Sequence, residues 1–473
     1  MKLPNPDRMR NGRTQDTECR RIGCVEAKRQ THRLRRASGQ SRCVRVCGLT
    51  HATAITGLLL IACTGRVVGE TPSLPWQVNA PIAVVKKELY KRHPRKNVAA
   101  WVQVRYLGPD LLREEVHTQW ATSDTPKRPM RRRSTDNGRT WSEFAPIDPV
   151  VTHANGIRVY WAEGAAYYDA EHKLLVSIWL RQQFYHGRYQ NHSFARTSRD
   201  LGRTWSKPAM LRYEPGDDYD PVHPVEQSFL LHNQTYVGNN IIRHSSGVLI
   251  HCVAHANAAG DSMNDTRPWR LGSLCFRGQW NPGLQTYRWT AGKRVEVSPD
   301  VSSRGLMEPE VAELADHRVL VIWRGSSTAK TPGRKWRSLS VDGGKTLGPV
   351  VELKYDDGSQ FYSPSAYHRM IRHSRTGKLY WVGNISATPP HGNSPRYPLV
   401  IAEVDETTGT LRRKTVTLID DRQPGESAKM HLSNFSLLEN RETHDLEIYL
   451  TRLGTNPKDF WGSDVYRYTL TLK

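Results

Sequence analysis

Past residue 75 the chain alternates short apolar runs with short polar turns on a regular pitch. Five segments repeat the scheme apolar–turn–apolar: AAYYDAEHKLLVSIWL from Ala165, IIRHSSGVLIHCVAHA from Ile241, VAELADHRVLVIWRG from Val311, MIRHSRTGKLYWVGNI from Met370 and SLLENRETHDLEIYLTR from Ser436. A sixth, less regular, ends in the run Glu114 to Trp120. β-Branched and aromatic residues flank each polar turn, as antiparallel hairpins require. With 35 Gly and 28 Pro spread along the chain, turns are favoured over long helices.

A second series interleaves with the first. The pattern Ser-x-Asp-x-Gly-x-Thr occurs at Ser134–Thr140, Ser198–Thr204 and Ser340–Thr346, followed by Trp141, Trp205 and Leu347. In such Asp-box hairpins the Asp accepts hydrogen bonds from turn amides, the Gly supplies a positive φ, and Ser and Thr satisfy the neighbouring backbone. Asp136, Asp200 and Asp342 are therefore read as structural. The first interval is 64 residues and the second 142, twice 71, so a degenerate hairpin is expected near residue 270, at Leu274–Trp280, and another at Val400–Gly409. Six units of about 66 residues then fill 75–473. The fold class expected is all-β, a six-bladed β-propeller closed by pairing Tyr466–Leu472 with the start of the body, which removes sheet edges.

Charge changes the picture mainly at the amino-terminal end. Net charge is +22, of which residues 1–50 supply +9 through 13 Lys/Arg against 4 Asp/Glu. This polar, non-periodic arm reads as disordered. Residues 51–74 hold an apolar run, Ala52–Ala62, too short to span a bilayer and of the length of a signal-peptide core. Leu60-Ile-Ala-Cys63 resembles the lipobox of bacterial lipoproteins, which makes Cys63 a lipidation site and membrane anchor; the alternative is an ordinary export signal with an incidental Cys. Either way the body is expected to be exported: periplasmic, outer-membrane anchored or secreted. Cys19, Cys24, Cys43 and Cys47 lack the short knuckle spacing of zinc sites, so no metal is expected. Cys252 and Cys275 either pair in an oxidising compartment or are small buried thiols. The moderately basic body suits an anionic partner, and without an aromatic-and-basic RNA motif nucleic acid is excluded.

Function in a propeller is expected on the loops and inner strands at the central mouth. There Met307-Glu-Pro-Glu-Val-Ala-Glu-Leu-Ala-Asp-His-Arg-Val-Leu-Val-Ile-Trp-Arg324 resembles the fourth-blade motif of the sialidase superfamily, in which a Glu precedes a hairpin ending in Arg. The resemblance covers nearly the whole body. It implies that Glu308 matches the family's catalytic Glu and Arg324 the second arginine of its carboxylate-binding triad. It further implies Tyr362, before Ser363, as nucleophile, Arg334 or Arg337 as the third triad arginine, and Asp124, ten residues before the first box, as acid/base. The chemistry accounts for these residue types. Arginine forks hold a sugar carboxylate bidentately. A neutral Tyr, deprotonated by a Glu, avoids the repulsion an enzyme carboxylate would meet. An Asp protonates the leaving oxygen and then activates water.

Rivals exist for each position. Glu310 lies two residues on, pointing to the same face in a regular strand, and Tyr367 competes with Tyr362. The family's opening Arg-Ile-Pro is absent; Arg105 is the substitute for its arginine. The expected activity is thus a retaining, cofactor-independent glycoside hydrolase of sialidase type, acting on a sialylated or other acidic glycan. A hydrolase of a uronate-type glycan on the same fold, or a glycan-binding propeller without turnover, are the alternatives.

Overall fold

The computed structural model describes residues 81–123, 126–148, 150–153, 156–185, 188–215, 230, 232–256 and 271–473. They form six antiparallel sheets of four or five strands, arranged as a six-bladed β-propeller. The first blade uses strands Ala99–Tyr106, Arg113–Trp120, Lys127–Ser134 and Ala145–Pro146. The second centres on Arg158–Asp169, Leu174–Tyr185 and Arg188–Ser198, and the third on Leu249–Ala256, Gly272–Asn281 and Thr286–Ala291. Met307–Glu313, Val319–Arg324, Lys335–Ser340 and Val351–Glu352 make the fourth. The fifth holds Arg369–Arg372, Leu379–Asn384 and Leu399–Asp405, with Thr410–Leu411 and Thr417–Asp420 beside the last. Ser436–Glu439, Leu446–Thr451 and Val465–Leu472 make the sixth, completed by Ile82–Lys91 from the other end of the body. That closing pair runs from Ile82 opposite Leu472 to Lys91 opposite Val465, with a bulge near each end, between Ile82 and Val84 and between Leu89 and Lys91.

All six hairpins expected from the polar–apolar pattern are present. One boundary differs. Leu274–Trp280 is not a turn but the middle of strand Gly272–Asn281, and the turn follows at 282–285, where Leu284 N–H donates to Asn281. The apolar content of GSLCF is that of a strand, and the turn residues Pro282 and Gly283 lie beyond it.

Second strands such as Val319–Arg324 and Leu249–Ala256 are buried along their whole length, because both faces pack against neighbouring blades. Apolar clusters fill these interfaces. Leu320, Ile322, Leu353, Phe361 and Trp381 pack between the fourth and fifth blades, and Tyr380, Val382, Ile448 and Leu470 between the fifth and sixth. Between the third and fourth, the disulfide Cys252–Cys275 joins directly opposed strands inside a cluster with Val321 and Trp323.

The interface between the first and second blades is built differently. Arg105 bonds Glu114 and Glu163, each at 2.5 Å. Arg131 reaches the same two carboxylates at 2.9 and 2.7 Å, and Arg133 reaches Glu114 at 3.3 Å.

The three Ser-x-Asp-x-Gly-x-Thr turns link third to fourth strands. In the first, Gly138 N–H donates to Ser134 Oγ (2.7 Å) and Thr140 N–H to Asp136 (2.9 Å), and the Thr140 hydroxyl donates to the same carboxylate. The second and third repeat this geometry around Asp200 and Asp342. The Thr140 and Thr204 bonds hold the Asp136 and Asp200 carboxyls well below the usual carboxylate range.

Candidate functional site

Antiparallel alternation sorts the candidates by end of sheet. Third-to-fourth-strand turns lie at one end of the blades. Residues just before first strands, at the close of second strands or at the start of third strands lie at the other. Glu308, Arg324, Arg334 and Tyr367 fall at that second end. Arg105, at the close of a first strand, falls at the turn end, and its place in the Glu114–Glu163 ion pairs removes it as the substitute triad arginine. Asp124, Cys63, the cysteines of the amino-terminal arm and the rest of residues 1–80 lie outside the described residues.

Glu308 has a left-handed backbone, φ 46°, inside a strand. It belongs to a bulge: Met307 opposes Arg324 and Glu310 opposes Ile322, leaving Glu308 and Pro309 unpaired. Asn239 of the third blade satisfies the bulge, donating to Glu308 O from its side chain (3.0 Å) and to Pro309 O from its backbone N–H (2.9 Å). The bulge also corrects the expected equivalence of Glu308 and Glu310. Glu308 turns to Arg324, whereas Glu310 is sealed in the wall, accepting from Arg369 Nε (2.9 Å) and Met370 N–H (3.1 Å).

Arg324 is held on three sides. It donates to Glu308 Oε1, to Ser365 Oγ (2.8 Å) and to Asn393 Oδ1 (3.3 Å). Two further guanidiniums meet it at Asn393. Arg304 donates to the same Oδ1 (3.4 Å), and Arg396 Nε donates to the Asn393 backbone carbonyl (2.8 Å). Burial opposes the Glu308 anion, but Arg324, with Arg396 and Arg304 behind it, more than offsets this and keeps the carboxyl below its ordinary range. Its Oε2 is buried and accepts no hydrogen bond.

Tyr367 enters the first strand of the fifth blade. Its ring packs edge-on to Phe435 (5.6 Å), and its hydroxyl accepts from Arg369 (3.4 Å). Burial pushes that hydroxyl up to about 12; Arg369 pulls it down, and the nearby Glu310 and Glu308 carboxylates push it up. Tyr362 bridges to Ser386 at the same end of the blades, but its ring lies under the Arg334 guanidinium (4.4 Å) and makes no hydrogen bond with Glu308. Arg334 in turn pairs with Glu352 (2.6 Å) and donates to Phe361 O (2.6 Å). Arg337, mid-strand opposite Ile322, packs toward Gly409. Of the predicted set, then, the structure joins Glu308 and Arg324 and sets Arg334 with Tyr362 in a second pair beside them.

Arg304, Arg396 and Asn393 escaped the sequence reading. Their one local signal was His-Gly-Asn-Ser, a two-residue turn in which Gly takes the positive φ. Among the described residues no group of three or more His, Cys, Asp or Glu is placed to hold a metal ion, and no helix is long and apolar enough to cross a membrane. A cavity of about 570 Å³ lies elsewhere, beside the first two Ser-x-Asp turns at Arg133, Trp141 and Leu201. Its polar groups serve the turns and the ion pairs, so the convergence of side chains at Asn393, rather than this volume, marks the candidate site.

No protein-family model and no curated protein matches the chain. Solved structures similar to it include an α-L-arabinanase of Penicillium chrysogenum complexed with arabinobiose, 14% identical over 82% of this chain and 97% of that one, with a TM-score of 0.44. The endosialidase of phage phi92 is 11% identical over 82% and 69% of the two chains, TM-score 0.48. A protein described as a sialidase is 14% identical over 80% and 33%, TM-score 0.27. At such identities no residue role is carried over from them.

Proposed function

We propose that the chain is a glycan-active propeller hydrolase that takes an acidic sugar, sialic acid or a uronate, at the Arg304–Arg324–Arg396 cluster. The observation that carries this is the meeting of three guanidiniums at one exposed residue, Asn393, beside a carboxylate whose second oxygen is unpaired. The cluster suits a carboxylate recognised by forked donors. Tyr367 is the nucleophile on this reading because the Arg334 guanidinium covers the Tyr362 ring; neither hydroxyl is hydrogen-bonded to Glu308, and that of Tyr367 accepts from Arg369. The protonated ground state of Tyr367 spares the sugar carboxylate a repulsion.

In the first step Tyr367 Oη bonds to the anomeric carbon and its proton passes to Glu308 Oε2. The glycosidic bond breaks, and the departing oxygen takes a proton from Asp124. In the second step Asp124 deprotonates water, which attacks the anomeric carbon; the bond to Tyr367 breaks and its oxygen takes the proton back from Glu308, with overall retention. The Cys252–Cys275 disulfide supports export to an oxidising compartment, through a cleaved signal or an anchor on Cys63.

The test is release of 4-methylumbelliferone from its N-acetylneuraminide and its glucuronide. Turnover should fall about 100-fold or more in Tyr367→Phe and Glu308→Gln, and in Asp124→Ala. Loss in Tyr362→Phe with retention in Tyr367→Phe would return the nucleophile to Tyr362. Binding of either acid without turnover would make the chain a glycan-binding propeller.

A further inference from the structure

Asn393 holds an unusual place among the arginines. It is exposed, yet its side-chain carbonyl accepts from both Arg304 (3.4 Å) and Arg324 (3.3 Å), and its main-chain carbonyl from Arg396 (2.8 Å). The two bonds to the side chain are long, as befits a neutral amide between cations; a carboxylate in the same position would make shorter and stronger ones.

The backbone under Asn393 is fixed independently of its side chain. His391 and Ser394 exchange backbone hydrogen bonds at 3.0 and 3.2 Å across a two-residue turn. Gly392 takes the first central position with φ 57°, which a type II′ turn reserves for glycine. The turn is pinned on both sides: Gly392 N–H donates to Ser327 Oγ (2.9 Å), and Ser365 N–H donates to Gly392 O (3.1 Å). Ser365 is also the residue that accepts from Arg324 Nε, so turn and arginine share one support. The side chain of Asn393 can therefore swing away without the turn moving.

We propose that Asn393 is a built-in stand-in for the ligand's carboxylate, occupying the notch between Arg304 and Arg324 until an acidic sugar displaces it. The inference rests on the acidic-sugar reading above. It assigns Asn393 a role in affinity and selectivity: the amide keeps the guanidiniums apart and aligned, and it yields only to a group that binds them better. A neutral sugar hydroxyl has no such advantage over the amide.

The experiment titrates the full chain with N-acetylneuraminic acid, D-glucuronic acid and D-glucose by calorimetry, for wild type, Asn393→Ala and Asn393→Asp. Asn393→Ala should bind the acid about 5-fold tighter, the yield of one competing hydrogen-bonded contact removed. Asn393→Asp supplies the carboxylate within the chain, so it should bind at least ~10-fold more weakly. It should also melt at a higher temperature than wild type in low salt, a readout that needs no ligand. Equal affinities in all three proteins, or weaker binding by Asn393→Ala at an unchanged melting temperature, would overturn the stand-in role while leaving the acid site intact. An absence of acid binding in all three proteins, the unblocked Asn393→Ala included, would overturn both.

Discussion

Two clusters of arginine in this propeller have opposite economies of charge. At the interface of the first and second blades, Arg105, Arg131 and Arg133 bracket Glu114 and Glu163, and Glu114, almost wholly buried, is the hub. Between the fourth and fifth blades, Arg304, Arg324 and Arg396 meet instead at the neutral, exposed Asn393, with Glu308 paired to Arg324. The first arrangement is closed: its cations are matched by carboxylates of the chain, in the position where other blade interfaces use leucine, isoleucine and tryptophan. The second converges on a neutral amide, and on the reading proposed above it is the one that receives an anion from outside. Residue type alone does not distinguish the two clusters; the identity of the acceptor at the point of convergence does.

The contrast can be broken most decisively at Glu114. Glu114→Gln leaves three arginines facing half their acceptor, and removing one partner from a buried ionic cluster costs about 4 kcal/mol. A lower denaturant midpoint, with activity per folded molecule unchanged, is the expected outcome. Glu308→Gln should behave in the reverse sense. Glu308 and Arg324 are themselves largely buried, but Arg324 keeps Ser365 and Asn393, so the loss of stability should be smaller, about 2 kcal/mol, while turnover collapses. If both variants lose stability equally, the two clusters are alike and the distinction fails.

The smallest effect is expected at the turn end. The depressed Asp136 carboxyl stabilises the fold fully above the unfolded value of about 4 and loses that contribution as pH falls toward its lower folded value. Asp136→Ala should therefore melt a few degrees below wild type at pH 7. The gap should narrow in acid, and lost activity should track lost folded protein. A gap that widened on acidification would contradict the turn's hydrogen-bond account.

The architecture was legible because it is written in local, repeated terms. Hairpin polarity and the Ser-x-Asp spacing recur in every blade or in half of them, and strand closure follows from them. Glu308 and Arg324 were legible for a related reason, since both lie within one hairpin. The degenerate turn after Trp280 was displaced because a long strand with a Gly inside it, Gly278, imitates a turn. Arg304 and Arg396 could not be read, because what joins them to Arg324 is a contact across two blades through a turn of four residues. The divergence of Glu308 and Glu310 was hidden for another reason: a bulge breaks the two-residue alternation on which facing arguments depend.

The pairing of Ile82–Lys91 with Val465–Leu472 has a consequence in time as well as in space. The earliest strand of the body to leave a ribosome or a translocation pore has no partner until the last is delivered, nearly four hundred residues later. Such a ring cannot complete itself piecemeal: five sheets can form in order of arrival, but the sixth waits on both ends at once. The propeller's clasp is thus the last piece to be fastened, and only once both ends of the body are present.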